Sequence, residues 1–451
     1  MAVVGGGISG LTAAHALASR GTCDLALFEA GDRAGGAIRT IRRDGFLIEE
    51  GADSMIADKP WGVSLAERLG LAPRLIGTRE AHRRSYVVRR GRLRRTPDGF
   101  HLLAPSRLWP LATSGIFSPA GLIRMALEPL VPPRQDDADE SVGSFVRRRL
   151  GREALERLAQ PMVAGIYGAD PEDLSLRATL PRFARMEQEH GSLLRAMAAE
   201  ASVRGASGAR YGLLLSFDDG MQTLADALVG ALPDGCLKLH CPVRRLHREA
   251  NGWRLYHDSA QSQKAERFDA VILALPAPRA SRLLSDLDPA LASELSAIPC
   301  ASAATVSLAF EEAQIGHPMD GSGFVAPGHE SSHLLGCTFV HRKYAGRAPD
   351  GRALLRAYLG TETLMLTDAE MIARCHSELG RLLSIRGSPL FTHVARHPDS
   401  MPRYRVGHLE RTSRIAAALR SHPGLALAGN YLSGVGIPDC IRTGEEAAVA
   451  V

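Results

Sequence analysis

The first ten residues constrain the fold more than any other stretch of this chain. Ala2–Val4 has the composition of a short buried strand, and Gly5, Gly7 and Gly10 follow it as G-x-G-x-x-G. Residues 11–19 continue as an alanine-rich helix. The first glycine allows a tight turn, the second lets a diphosphate approach the backbone, and the third lets helix and strand pack closely. The helix N-terminus adds free N–H groups and partial positive charge for the diphosphate.

A second strand and an acidic residue complete the pattern of a dinucleotide-binding unit. Residues 24–28 predict a buried strand that ends at Glu29, nineteen residues after Gly10. A dinucleotide fold places the acid that binds a ribose hydroxyl at about this spacing. Because strand, glycine turn, helix, strand and acid occur in this order, the sequence predicts a βαβ unit that binds a dinucleotide.

The residues after Glu29 distinguish a flavin from a nicotinamide cofactor. Arg33, Gly35 and Gly36 lie just beyond the acid, and Arg39 follows them. The glycines let the backbone come close to a ligand, and the arginines can neutralise diphosphate charge. The run EAGDRAGGAIRT resembles the second fingerprint of the amine-oxidase-like flavoproteins, which bind FAD. FAD is therefore the predicted cofactor.

The composition limits the class of protein. A chain of 451 residues can bury more than one core, and its 45% hydrophobic and 23% charged residues are ordinary for a globular protein. The seven cysteines are scattered without a C-x-x-C pair, which argues against a disulfide framework or zinc site and for a reducing compartment. Residues 108–123 lack charge, but they are too few to span a bilayer and contain Pro110 and Pro119. We expect a cytoplasmic protein for which peripheral contact with the inner face of the membrane stays open.

The chain alternates between blocks of different secondary structure. Residues 75–205 are mostly helical in pattern and include an arginine-rich hairpin over residues 85–97 that turns at Arg90-Gly91. This hairpin is interpreted as an anchor for an anionic substrate or membrane surface, or as a solvated face. Strand-like stretches between residues 305 and 359 suggest an antiparallel sheet. The predicted α/β fold has a Rossmann-like FAD-binding domain (residues 1–74, 206–285 and 393–451), a helical insertion (75–205) and an antiparallel-sheet substrate domain (286–392).

The end of the chain predicts a second contact with the flavin. Residues 425–428 read as a buried strand and residues 429–436 as a loop, after which Pro438 and Asp439 suit a helix N-terminus. Directed at the pyrimidine edge of a flavin, this helix would stabilise negative charge on the reduced ring. Cys440 lies in the same stretch and is interpreted as an ordinary buried cysteine.

Six motifs occur in the order seen in the oxygen-dependent porphyrinogen oxidases, which this chain resembles over nearly its whole length: GGGISGL, EAGDRAGGAIRT, GFLIEEGADS, HGSLLRAM, SMPRYRVGH and GNYLSGVGIPDCIRTGEEAA. The resemblance implies that FAD takes two electrons from a porphyrinogen three times over, with O2 reoxidising it to H2O2. Protoporphyrinogen IX is the expected substrate and coproporphyrinogen III the alternative. Another flavin amine oxidase or desaturase, and a porphyrin-binding flavoprotein without turnover, also stay open.

The motifs and the resemblance together assign the residues of the site. The resemblance implies substrate contacts at Gly323, Val325, Tyr358 and His101, although an arginine that pairs with a propionate near His101 in several relatives is missing here. Arg95 or Arg107 is the predicted replacement. The expected cofactor contacts are Gly5, Gly6, Gly7, Ile8, Ser9, Gly10, Glu29, Ala30, Arg33, Gly35, Gly36, Gly51, Ala52, Asp53, Ser54, Val243, Val435, Gly436 and Ile437.

Several partners are expected or excluded on the same grounds. No metal site is expected and no catalytic side chain is assigned, because the cofactor carries the chemistry in such enzymes. Nucleic acid is not an expected partner, since the arginines lack interleaved aromatic residues and a known module. The resemblance is compatible with a homodimer and with hand-off of the product to ferrochelatase.

Overall fold

The computed structural model describes residues 1–21, 23–105, 107–136, 138–204, 214–259, 262–330 and 334–451. Its strands are β1 (Ala2–Val4), β2 (Ala26–Phe28), β3 (Thr40–Arg43), β4 (Phe46–Glu49), β5 (Met55–Ile56), β6 (Leu75–Gly77), β7 (Ser85–Arg89), β8 (Arg92–Arg95), β9 (Phe100–His101), β10 (Ala104–Pro105), β11 (Leu214–Phe217), β12 (Leu237–Lys238), β13 (Val243–Glu249), β14 (Gly252–Ser259), β15 (Ser262–Phe268), β16 (Val271–Leu273), β17 (Cys300–Glu311), β18 (Gly323–Val325), β19 (Leu334–Phe339), β20 (Arg352–Leu359), β21 (Phe391–Pro402) and β22 (Leu425–Leu427).

The helices separate or flank these strands. They are α1 (Ile8–Ala18), α2 (Pro60–Arg68), α3 (Trp109–Thr113), α4 (Pro119–Ala126), α5 (Val142–Leu150), α6 (Arg152–Ala154), α7 (Gln160–Tyr167), α8 (Leu176–Thr179), α9 (Pro181–His190), α10 (Leu193–Arg204), α11 (Gln222–Gly230), α12 (Ala277–Leu284), α13 (Pro289–Ser296), α14 (Val340–Lys343), α15 (Asp368–Leu383), α16 (His408–Leu419) and α17 (Ile437–Ala450).

A parallel five-stranded sheet brings the beginning, middle and end of the chain together. Its order is β12-β2-β1-β16-β22, and each pair is parallel. Helices α1, α11 and α17 cover one face, while α12, α13, α16 and the β13-β14-β15 sheet pack on the other. Both faces are buried, which is why the central strands are continuously apolar. The predicted α/β fold with a Rossmann-like domain is confirmed.

A second large sheet has the order β21-β17-β20-β19-β18-β7-β8. Its pairs are antiparallel except β18 with β7, which is parallel. The arginine-rich hairpin forms as expected, with positive φ at Arg90 and Gly91. The sequence analysis groups residues 75–205 as one helical insertion, but the hairpin within this range extends the seven-stranded sheet. Strand β21, from the stretch assigned to the FAD-binding domain, forms the other edge of the same sheet. The partner strand of each is distant in sequence, so local patterns do not reveal the pairing.

Helices α3 to α10 form a separate layer with its own apolar cluster, which also includes Val87 and is contacted by Val325. Helix α6, a π-helical turn over Leu155–Ala159 and α7 follow one another directly. A buried ion pair between Arg149 and Glu128 lies inside this layer. In the part of the chain that the structure describes, no helix has both the length and the apolar composition needed to cross a membrane.

Candidate cofactor and substrate site

The glycine-rich turn between β1 and α1 is shaped by contacts that exclude side chains. Gly5 has φ +106°, and a Cβ on Gly10 would overlap the carbonyl oxygen of Gly5. By contrast, a Cβ on Gly7 would meet nothing within 4 Å, so the space beside it is open. Among the described residues no side chain caps α1, and its first turn, which includes Ile8 and Ser9, contains no acidic group. Its first N–H groups therefore keep their partial positive charge without a capping side chain.

Glu29 lies at the carboxyl end of β2 and holds this turn in place. Its Oε2 accepts a hydrogen bond from the Gly6 N–H and its Oε1 accepts one from the Gly31 N–H, both at 2.7 Å. Cys241 N donates to the Glu29 carbonyl at 2.8 Å, which brings the start of β13 and Val243 beside the acid and Ala30. The structure thus places the predicted ribose acid on the glycine turn and connects the strand that begins at Val243 to that acid through Cys241.

The second glycine pair packs directly on the first turn. Gly35 N donates to the Gly6 carbonyl at 2.7 Å, and a Cβ on Gly36 would lie 3.0 Å from Gly7 Cα. Arg33 folds over its own loop and donates to the carbonyl groups of Ala34, Gly36 and Ile38. Burial and the charge of Arg39 lower the pKa of Arg33. The arginine predicted beside the diphosphate therefore also fixes the shape of the loop.

The small-residue loop after β4 connects the FAD-binding part to the seven-stranded sheet. A Cβ on Gly51 would overlap the carbonyl oxygen of Ala37. From β20, the Arg356 guanidinium donates to the carbonyl groups of Glu50 and Gly51 at 2.6 and 2.5 Å. Ala52, Asp53 and Ser54 follow at the junction, with Ala52 exposed to solvent.

A buried ion pair joins this loop to α14. Lys343 Nζ donates to both carboxylate oxygens of Asp53 at 3.0 and 2.8 Å, and Ser54 Oγ donates to Asp53 at 2.7 Å. Burial alone would raise the pKa of the Asp53 carboxyl, but the charges of Lys343 and Arg356 outweigh it and lower that pKa to about 2. The sequence analysis missed both cations. The one signal was Lys343 itself, one of four lysines in a chain whose cations are nearly all arginine.

The terminal helix α17 packs against α1 at the same end of the parallel sheet. A Cβ on Gly444 would overlap the carbonyl oxygen of Ser9, so the two helices approach closely. Gly436 is the N-cap, with Val435 before it and Ile437 after it. The Asp439 carboxylate accepts from Gly436 N at 3.2 Å and pairs with Lys59 at 2.7 Å. The N-terminus of α17 therefore already has a carboxylate and a cation beside it.

Three of the four predicted substrate residues, Gly323, Val325 and Tyr358, share one face of the seven-stranded sheet. Side chains alternate between faces along a strand, and the apolar cluster with α15 takes the other face. One cross-strand row consists of Thr305, Tyr358, Gly336, Val325 and Val87. The adjacent row consists of Ser307, Arg356, Thr338, Gly323 and Ser85. Because Arg356 bonds to the loop at residues 50–51, this face is turned towards the FAD-binding part.

Glycines keep part of this face flat. A Cβ on Gly323 would overlap the Cys337 carbonyl, and neither Gly323 nor Gly336 projects a side chain. Tyr358 lies beside them, with its hydroxyl 3.1 Å from Thr338 Oγ1. His101 lies in β9, and its side chain is outside the described part of the structure. Within the described residues, no group of three His, Cys, Asp or Glu side chains is arranged to hold a metal ion.

Comparison with known proteins places these features in context. Residues 8–451 match the family model for flavin-containing amine oxidoreductases. The chain is 34% identical to coproporphyrinogen III oxidase of Bacillus subtilis (99% of this chain, 96% of the relative). It is 31% identical to a chloroplastic protoporphyrinogen oxidase of Nicotiana tabacum (100% and 84%). A crystal structure of a protein from Exiguobacterium sp. 255-15 superposes with a TM-score of 0.88 at 30% identity, covering 99% of this chain and 97% of that one.

Proposed function

The chain belongs to the flavin-containing amine oxidoreductase family and uses FAD, and we propose that it oxidises a porphyrinogen to the porphyrin in haem biosynthesis with O2 as the final acceptor. The names of the B. subtilis and tobacco relatives support this substrate class. Each porphyrinogen loses six hydrogens in three two-electron rounds. Three O2 molecules are then reduced to three H2O2 for each porphyrin formed.

The observation that carries the proposal is the flat patch around Gly323 and Gly336. A porphyrinogen is a broad, largely apolar macrocycle, and a sheet surface without projecting side chains lets such a molecule lie against the backbone. Tyr358 and Val325 border the patch within one cross-strand row. The loop at residues 50–54 is hydrogen-bonded to the same face, which brings the FAD-binding part to the edge of the patch.

The residues of the FAD-binding part fit the cofactor. The open space at Gly7 beside the uncapped α1 N-terminus would take the diphosphate. The free lone pairs of the Glu29 carboxylate would accept from a ribose hydroxyl. Bound FAD supplies the two-electron acceptor. The protein positions the macrocycle, excludes water and keeps the Cys440 thiol protonated, since burial raises its pKa to about 11. A covalent flavin link through a Cys440 thiolate is therefore disfavoured.

The position of Arg95 bears on which of the two candidate arginines, Arg95 or Arg107, can hold a propionate. Arg95 is paired across the hairpin with Tyr86, and Tyr86 belongs to the α15 side of the sheet. The Arg95 guanidinium is bonded there to Asp320. Arg95 thus lies on the face opposite Val325 and is engaged, which leaves Arg107 as the remaining candidate for the propionate contact. We expect Arg107→Ala to raise KM for the porphyrinogen at least tenfold, with Arg95→Ala as the matched control that leaves KM unchanged.

A two-substrate assay tests the function. Coproporphyrinogen III and protoporphyrinogen IX are supplied separately to the yellow protein, while porphyrin fluorescence, O2 uptake and H2O2 are followed together. We expect one substrate to be oxidised with three O2 consumed per porphyrin. The higher identity to the B. subtilis relative favours coproporphyrinogen III, and the tobacco relative keeps protoporphyrinogen IX as the second candidate. Porphyrin binding without O2 uptake would instead identify a non-catalytic porphyrin carrier.

A further inference from the structure

An arginine-lined cavity lies at the outer end of the β7–β8 hairpin, where the hairpin meets the α3–α4 connection. Its volume is about 340 Å³, and it is lined by five arginines together with residues 115–118. This volume falls in the range of about 300–1,000 Å³ that is usual for small-molecule sites. The lining arginines are Arg89, Arg90, Arg92, Arg94 and Arg157. Nothing in the proposed oxidation uses them.

Positive charge in this cavity exceeds the negative charge around it. Arg89 pairs with Glu330 at 3.0 Å, and Arg157 pairs with Glu153. Glu153 is further occupied, because it accepts from the N–H and the hydroxyl of Ser118 at 2.6 Å each. Five guanidinium groups thus share two carboxylates, which leaves three positive charges.

The surplus charge is carried by three neighbouring side chains. Within the described ranges, Arg90, Arg92 and Arg94 have no carboxylate partner within 4 Å. A Cβ on Gly91 would lie 3.3 Å from Arg381 Nη1, so a further arginine approaches the same hairpin tip. The pKa of Arg157 is lowered by burial and by the charges of Arg89 and Arg90, even though Glu153 contacts it. Mutual repulsion among these groups would be relieved by an anion.

The cavity lies on the same face of the sheet as the glycine patch, but packed side chains separate the two. Arg94 is paired with Val87, and Val87 is paired with Val325, so the three residues follow one another across the sheet. Val87 is only 1% exposed and packs into the helical layer, and a Cβ on Gly165 of α7 would lie 3.6 Å from Val325. Packed side chains therefore lie between the arginines and the patch beside Tyr358.

We propose that this cavity is a binding site for a ligand with clustered phosphate groups. Guanidinium groups bind phosphate oxygens through paired, charge-assisted hydrogen bonds. A diphosphate carries several negative charges in a small volume, whereas a carboxylate carries one. The three surplus positive charges around this cavity therefore match a diphosphate better than a single carboxylate. A soluble diphosphate and the headgroup phosphates of anionic lipids present the same chemistry.

Calorimetric titration of the full-length, FAD-loaded protein with inorganic pyrophosphate tests the site. We expect saturable one-to-one binding that the triple variant Arg90→Gln, Arg92→Gln, Arg94→Gln weakens at least tenfold. The matched control replaces Arg185, Arg282 and Arg420, three exposed arginines elsewhere on the surface, with Gln and removes the same charge. It should change the affinity less than threefold. An equal loss in both variants, or citrate binding as tightly as pyrophosphate, would overturn the assignment.

Co-sedimentation with vesicles of phosphatidylglycerol or phosphatidylcholine distinguishes the two sources of phosphate. Binding to phosphatidylglycerol alone, lost in the triple variant and displaced by pyrophosphate, identifies a lipid headgroup. Pyrophosphate binding without vesicle binding identifies a soluble ligand. The absence of both rejects the site. A raised KM for the porphyrinogen in the triple variant would show instead that the cavity belongs to the substrate site, and would leave the proposed oxidation itself untouched.

Discussion

The buried pair between Lys343 and Asp53 gives the sharpest test of how the two parts of the site are joined. The Lys343 and Asp53 side chains are only 8% and 13% exposed, and two hydrogen bonds of 2.8 and 3.0 Å connect them. Lys343→Met removes the ammonium and leaves a carboxylate buried. Breaking a buried pair in this way costs about 3–5 kcal/mol. With an unfolding entropy of about 2.1 cal/mol/K per residue, this corresponds to a Tm lower by roughly 3–5 °C in a chain of this length.

The lowered pKa of Asp53 determines how the contribution of this pair to stability changes with pH. The folded-state pKa of Asp53 is lowered to about 2 from 3.8, so the stability that its ionised form contributes is fully present above about pH 4 and is lost as the pH falls towards 2. That difference corresponds to about 2 kcal/mol. In Lys343→Met, burial would instead favour the protonated carboxyl. The Tm difference between wild type and variant should therefore be largest near neutral pH and shrink as the pH falls through the raised pKa of Asp53 in the variant.

Differential scanning calorimetry of the FAD-loaded protein between pH 3 and pH 7 measures both quantities. The double variant Lys343→Met, Asp53→Asn removes both charges and should recover most of the loss, because a buried pair contributes little over neutral groups of similar shape. An unchanged Tm in Lys343→Met at pH 7, or a double variant no more stable than the single one, would refute the reasoning.

Three further predictions concern the other parts of the molecule. Gly10→Ala should lower FAD affinity at least tenfold, because the added methyl overlaps the Gly5 carbonyl. The flavin absorbance that the purified variant retains measures this loss. Gly230→Ala is the control, because a Cβ at that position meets nothing within 4 Å. Glu128→Gln should destabilise the protein by about 3 kcal/mol in urea unfolding, because it removes one of the two carboxylates, Glu128 and Glu187, that pair with the fully buried Arg149. Glu156→Gln in the exposed Arg152 pair should have no measurable effect. Tyr358→Phe, which loses the hydrogen bond to Thr338 but keeps the ring, should change KM for the porphyrinogen less than threefold, and Tyr358→Ala should raise it more than tenfold.

The sequence was sufficient to predict those elements whose structure is determined by neighbouring residues. The glycine turn predicts a helix over residues 11–19, and the structure has α1 over Ile8–Ala18, with the glycine-to-acid spacing bringing Glu29 back onto Gly6. The Pro438 and Asp439 pair likewise marks the start of α17. In both cases the determining residues lie within one turn of the element that they define, so the pattern carries the information.

Contacts between segments that are distant in the chain could not be predicted from the sequence. Lys343 and Asp53 are 290 residues apart, and no local pattern selects one lysine as the partner of one aspartate. The face occupied by Arg95 depends on its register with Tyr86, and a slip of one residue would have moved it to the substrate side. The hairpin joins the sheet only because Gly323, Phe324 and Val325 lie parallel to it.

The loop at residues 50–54 explains why the seven-stranded sheet carries charged side chains on the face that is turned towards this loop. Side chains from three strands of the sheet form hydrogen bonds to Glu50. The Glu50 carbonyl oxygen is contacted by Thr305 Oγ1, His397 Nε2 and the Arg356 guanidinium. The Glu50 carboxylate is contacted by His393 Nε2 at 2.8 Å. Each of these groups would be costly to bury without a partner. Since the loop carbonyls and the Glu50 carboxylate supply those partners, the polar side chains of this face fix the loop against the sheet. The same hydrogen bonds therefore fix the position of the seven-stranded sheet relative to the loop that follows β4.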